Sequence, residues 1–93
     1  MILSFSDKVT EALFVSGKHR RIPDRDAVRA KQQLDLLDAA VRLEDLYFPP
    51  SNRFESLAGT NPRRYSIRVT RRYRITFEWK GKDAENVRFE DYH

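Results

Sequence analysis

Two short segments constrain this chain most: RYSIRV at 64–69 and YRITFEW at 73–79, separated only by TRR. In the first, Tyr65, Ile67 and Val69 alternate with Ser66 and Arg68. In the second, Tyr73, Ile75, Phe77 and Trp79 alternate with Arg74, Thr76 and Glu78. A period of two is that of a strand with one apolar and one polar face. So short a connection joins antiparallel neighbours. KGKDAEN reads as a looser turn and VRFEDYH (87–93) as a last strand, giving a meander. A sheet with one apolar face needs a cover, and the rest of the chain must supply it.

The N-terminal part reads as that cover. LSF is compatible with a short strand. SDKVTEALF continues as a helix with Val9 and Leu13 on one face and Asp7 in its first turn. Gly17 suits its C-terminal cap, and Pro23 the first position of a second helix. From Pro23 to Val41, Ala27, Ala30, Leu34, Leu37 and Val41 recur at spacings of 3, 4, 3 and 4, one apolar stripe for the core. Asp24 and Asp26 suit the positive end of its dipole. Pro49 and Pro50 end the helical part. The expected fold is α+β, with two N-terminal helices packed on one face of an antiparallel β-sheet, as one domain over 1–93.

Composition removes several functions. There is no cysteine, so neither a disulfide framework nor a thiolate metal site is possible. His19 and His93 lie far apart in sequence, which argues against zinc, and no cofactor is expected. His19 reads as an exposed loop residue in the basic cluster Lys18, His19, Arg20 and Arg21. No apolar run approaches the roughly 20 residues that cross a bilayer. The start, MILSFSDKVTEALF, lacks the pattern of a secretory signal, so the expected location is cytoplasmic, without membrane association.

The net charge of +4 is concentrated in one part of the chain. Residues 1–62 carry nine Lys/Arg and nine Asp/Glu, whereas residues 63–93 carry nine and five. Residues 56–77 hold no acid and six arginines: Arg63, Arg64, Arg68, Arg71, Arg72 and Arg74. Such a field attracts polyanions, and arginine favours bidentate phosphate contacts. If the two strands pair around Thr70–Arg72, Arg68 and Arg74 stand opposite each other on the polar face, with Thr76 and Arg88 nearby. Two readings are open. Either an anion sits between the guanidinium groups, or Glu78 or Glu90 on the same face neutralises them.

The end of the chain, RFEDYH, adds acid–base groups. Cleaving RNA without a metal requires a base for the 2′-OH proton, an acid for the 5′ leaving oxygen and cations for the charge on the phosphorane. His93 suits proton transfer near neutral pH, and Asp91, two residues earlier on a strand, can orient it. In a regular strand Tyr92 points the other way, with Arg88 and Glu90. Alternation therefore brings Asp91, Tyr92 and His93 to one site only if the strand ends or bulges there.

TEALFVSGK, AAVRLEDLYFPPSNRFESLAG, YSIRVTRRYRITFEW and the terminal DYH together resemble the HigB-like (plasmid-maintenance killer) toxins of the RelE/ParE superfamily, from SFSDK to the last residue. The resemblance implies a toxin of a type II toxin–antitoxin module. It implies an endoribonuclease (mRNA interferase) that cleaves mRNA on the ribosome and stops translation. The implied partner is a HigA-like antitoxin with a helix-turn-helix domain, and operator DNA is met only through the toxin–antitoxin complex. Carried over by residue, His93, Asp91, Tyr92 and Arg74 are the catalytic candidates. Arg68, Arg71, Arg72, Arg53 and Arg88 are the candidates for binding RNA phosphate.

The chain also departs from the family. Ala58 stands where members often carry lysine, Glu55 lies near a position that is histidine in some, and Arg72-Tyr73-Arg74-Ile75 replaces the common QWRI. Loss of that lysine weakens charge stabilisation, with Arg72, Arg71 or Arg53 as candidates to compensate, so either a slow nuclease or a rearranged site is expected. Two alternatives belong to other classes: a ParE-like toxin acting on DNA gyrase without cutting RNA, and a degenerate RNA- or protein-binding module.

Overall fold

The computed structural model describes residues 1–92. Helices α1 (Lys8–Ser16) and α2 (Asp24–Ala39) precede two short 3-10 turns, Leu43–Tyr47 and Pro50–Asn52. Four strands complete the chain: β1 (Glu55–Leu57), β2 (Arg64–Arg68), β3 (Tyr73–Lys80) and β4 (Asp83–Asp91). They form one antiparallel sheet in the order β1-β2-β3-β4, the expected meander with one additional edge strand. β1 is not legible in the sequence because three residues are too few to display a period.

Both helices begin and end where local chemistry dictates. Asp7 caps α1 by accepting hydrogen bonds from the Thr10 backbone N–H at 2.8 Å and the Thr10 hydroxyl at 2.7 Å. Gly17 closes α1 at φ 71°, a left-handed conformation that glycine adopts without cost. Pro23 is the residue before α2 and not its first turn. Ala27, Ala30, Leu34 and Leu37 are fully buried, as their spacing requires. Val41 is not part of that stripe. The helix stops at Ala39, Ala40 is buried in its place, and Val41 is 59% exposed.

The core lies between these helices and the apolar sheet face, where Ile67, Tyr73, Ile75, Phe77, Val87 and Phe89 are buried. Full burial of a side chain such as Leu34 or Phe77 contributes about 1.5–3 kcal/mol. KGKDAEN is not a loose turn. Lys80 pairs with Asp83, so the reversal takes only Gly81 and Lys82, and β4 starts at Asp83. Inside β4, Thr76 pairs with Arg88 and Glu78 with Glu85, so Asn86 and Val87 together oppose Phe77. This β-bulge places Asn86 at φ 51°. It reverses the strand's parity: Ala84 and Val87, three apart, are both buried, and Arg88 and Glu90 turn to the polar face.

The N-terminal segment protects the outer edge of β4. Ile2 and Phe5 form parallel bridges to Ala84 and Val87, a reduced form of the short strand read at LSF. The Thr10 hydroxyl then accepts the Phe89 N–H at 2.8 Å, continuing the protection along the strand.

Candidate active site: an arginine pair around Tyr92

Arg68 and Arg74 are cross-strand partners, as their positions around the turn predict. Strand parity carries Glu90 and Tyr92 to the same face, with Glu90 directly opposite Arg74. The Tyr92 N–H donates to the Arg72 carbonyl at 2.6 Å, which holds the chain in place one residue beyond β4. The Arg68 and Arg74 guanidinium carbons then lie 5.8 and 5.4 Å from the centroid of the Tyr92 ring. Contacts of this kind contribute about 0.5–2 kcal/mol, depending on desolvation.

The acids on this face are divided unequally. Glu90 stands 3.7 Å from Arg74 and accepts the Thr76 hydroxyl at 2.5 Å. Glu78 pairs instead with Arg64 at 3.3 Å. Arg64 also donates to the Thr76 hydroxyl at 3.0 Å and to the Asn86 carbonyl at 2.8 Å. Arg64 is thus a brace from β2 across β3 to the bulge of β4. Composition shows it only as one of six arginines, although its phase with Ser66 and Arg68 puts it on the polar face. Thr76 is covered by this network and buried, not displayed as expected.

Among the described residues, Arg68 takes part in no ion pair. Three buried polar atoms also lack a hydrogen-bond partner: Arg68 Nε, Arg74 Nε and Ser66 Oγ. They belong to adjacent positions, since Arg68 opposes Arg74 and Ser66 lies two residues before Arg68. Unpaired buried donors are costly, about 1–3 kcal/mol each, and two of these three belong to the facing cations Arg68 and Arg74.

The remaining candidates are dispersed. Asp91 pairs with Tyr73 in the ladder, so it has the parity of the helix-side face. Its carboxylate accepts from Arg72 Nε at 3.2 Å. That hydrogen bond holds the Arg72 guanidinium above its ordinary pKa, and Arg72 also covers the Tyr73 ring at 5.0 Å. Tyr92 and Asp91 therefore point to opposite faces at the end of one strand, as alternation requires. Arg88 reaches back to Asp7 at 3.8 Å. Arg71 is exposed in the turn between β2 and β3. His93 lies outside the described residues. His19 is half-buried, its Nδ1 accepting the Arg21 N–H at 3.1 Å, and not simply exposed.

Arg53 sits just after the second 3-10 turn at φ 47°, next to Asn52, which a buried amide clamp ties to the Arg68 backbone. Gln33 Nε2 donates both to Asn52 Oδ1 at 2.9 Å and to the Arg68 carbonyl at 2.8 Å. Asn52 in turn donates to the Leu46 and Phe48 carbonyls at 3.3 and 3.0 Å. One side chain of α2 thereby fastens the Leu46–Asn52 loop to the end of β2.

Residues 3–93 match the family model described as "RelE-like toxin of type II toxin-antitoxin system HigB". The chain belongs to the HigB-like toxin family. It is 42% identical over 88 residues to "Toxin HigB-1" of Vibrio cholerae, covering 94% of this chain and 93% of that one. It is 32% identical to "Endoribonuclease HigB" of Proteus vulgaris over 93 residues, the full length of both chains. As a HigB-like toxin of a type II system it has a cognate antitoxin as its partner. Among the described residues no helix is long and apolar enough to cross a membrane. In this HigB-like chain Glu55 registers with Ser66 and so shares the arginine face, while Ala58 is exposed in the turn after β1.

Proposed function

We propose that this HigB-like toxin is an endoribonuclease that binds RNA phosphate between Arg68 and Arg74. The observation that carries this reading is their cross-strand pairing over one tyrosine ring, with both Nε donors unpartnered. The endoribonuclease name of the Proteus vulgaris relative supports the reaction class. The guanidinium pair stabilises charge growing on the phosphorane, an electrostatic role. His93, the next residue after Tyr92, is assigned to proton transfer. Asp91, held by Arg72, is assigned to orient that imidazole. Tyr92, packed on both arginines, fixes their spacing and offers its phenol to the reacting phosphate. Arg71, Arg72, Arg53 and Arg88 extend the basic field along the RNA. The substrate is mRNA on the ribosome. The antitoxin is HigA-like, carries the helix-turn-helix, and brings the complex to operator DNA.

Primer extension on mRNA from a translating extract tests this. New 5′ ends are expected with wild type and none with His93→Ala. Blocked gyrase supercoiling without new ends would overturn the nuclease reading in favour of a ParE-like action.

A further inference from the structure

Glu90 stands directly opposite Arg74, yet its hydrogen bond goes elsewhere. Its Oε1 is 3.7 Å from the Arg74 guanidinium, beyond hydrogen-bond range, whereas its Oε2 accepts the Thr76 hydroxyl at 2.5 Å. Thr76 pairs with Arg88, two residues before Glu90, so the carboxylate leans along the sheet to a diagonal neighbour. Diagonal positions are about 7–8 Å apart, and directly opposite ones about 4.5–5.5 Å. A planar guanidinium offers a carboxylate two parallel bonds where a hydroxyl offers one. Distance and bond strength both favour Arg74, and Glu90 nevertheless turns to Thr76.

The reason lies in the hydroxyl. Thr76 is 1% exposed, so protein groups must satisfy it. Arg64 Nη2 donates to its oxygen at 3.0 Å, and a guanidinium accepts nothing in return. The single hydroxyl proton must then go to another acceptor, and Glu90 is that acceptor. Arg64 is itself held by Glu78 at 3.3 Å and by the Asn86 carbonyl at 2.8 Å. A chain of bonds thus runs from Arg64 through Thr76 to Glu90 and stops short of Arg74. Beyond it, Arg68 takes part in no ion pair among the described residues, and the Nε atoms of Arg68 and Arg74 lack hydrogen-bond partners.

We infer that Thr76 is a positioning residue: oriented by Arg64, its hydroxyl draws the Glu90 carboxylate off the arginine pair and keeps that pair open to RNA phosphate. This rests on the phosphate-clamp reading and adds what keeps the chain's own carboxylate out of the clamp. Glu90 works against an incoming anion, since a negative charge beside two positive ones lowers anion affinity, and more so the closer it comes. Thr76, buried beneath the network, acts through Glu90.

The test measures anion binding apart from cleavage. Inorganic tripolyphosphate and a short 2′-O-methyl RNA oligonucleotide, which lacks the attacking hydroxyl, are titrated calorimetrically into the full chain at low salt. Thr76→Val keeps the side-chain shape and removes the hydroxyl. Glu90 is then released toward Arg74, and affinity for both probes is expected to fall about tenfold. Thr76→Ser is expected to restore it. Glu90→Gln is expected to tighten both probes severalfold, and in that background Thr76→Val should cost nothing further, because no carboxylate is left to release. Thermal midpoints check each fold. A packing role alone would lower the midpoint of Thr76→Val and leave its affinity at the wild-type value. That outcome, an equal loss in both backgrounds, or no gain in Glu90→Gln overturns the inference. Arg68→Ala reports on the clamp separately. If it leaves both affinities unchanged, the phosphate reading fails and this inference with it. If it weakens them while Thr76→Val does not, the clamp stands and only the positioning role is lost.

Discussion

Arg68 and Arg74 oppose each other across β2 and β3, and both guanidinium groups rest on the ring of Tyr92. Glu90 lies 3.7 Å from Arg74, whereas no carboxylate among the described residues pairs with Arg68. The pair therefore keeps positive charge that one acid only partly offsets. Like charges directly opposite one another destabilise a sheet. A bound phosphate relieves that repulsion.

Arg68→Ala and Arg74→Ala should each lower single-turnover cleavage of RNA by about 10²–10³-fold, the range for removing one donor to a developing anion. Arg63→Ala should change it far less, because Arg63 precedes β2 and donates to the Ser56 hydroxyl at 2.9 Å. Equal losses at all three positions would indicate a diffuse field and no clamp.

The brace and the clamp separate in a melting experiment. Arg64→Ala removes bonds to Glu78, Thr76 and the Asn86 carbonyl; each acceptor keeps another partner (the Asn86 amide, Glu90 and the Ser6 hydroxyl), so the loss is that of the bonds themselves, about 0.5–1.5 kcal/mol each. For a domain of this size that lowers the thermal midpoint by at least about 4 °C. Arg68→Ala should cost less stability while harming cleavage more. The opposite ranking would make Arg68 structural.

Ala58→Lys should raise the cleavage rate severalfold with the thermal midpoint nearly unchanged, since position 58 is exposed and comes just after the strand whose Glu55 shares the arginine face. A rate no higher than wild type would show that existing arginines already supply this charge.

Asp45 accepts the Val41 and Arg42 N–H groups at 2.9 and 3.1 Å, and these bonds hold its carboxyl below the usual range. A depressed folded-state pKa gives stability that is present above the unfolded value, about 3.9, and lost as pH falls through the folded value. Wild type should therefore melt above Asp45→Asn at pH 7, with the difference shrinking as pH falls below about 3.9. A difference independent of pH would remove the linkage.

Features that depend only on period and chain proximity were determined by the sequence alone. Alternation in 64–69 and 73–79 set two strands, their faces and the Arg68–Arg74 pairing, because a three-residue connection leaves little choice of register. The stripe from Ala27 to Leu37 set the core face of α2 for the same local reason. The same register of β2 on β3 set Glu78 opposite Arg64. Only the tertiary structure brought Glu90 to Arg74, through the bulge at Asn86–Val87, which resets the parity of β4. Tertiary structure also placed Tyr92 on the arginine pair while Asp91 kept the opposite parity. It set Gln33, a polar residue of the helical stretch with no signal of its own in the sequence, between Asn52 and Arg68. Such contacts join residues 19 to 35 positions apart, and no local pattern encodes a distance that packing alone closes.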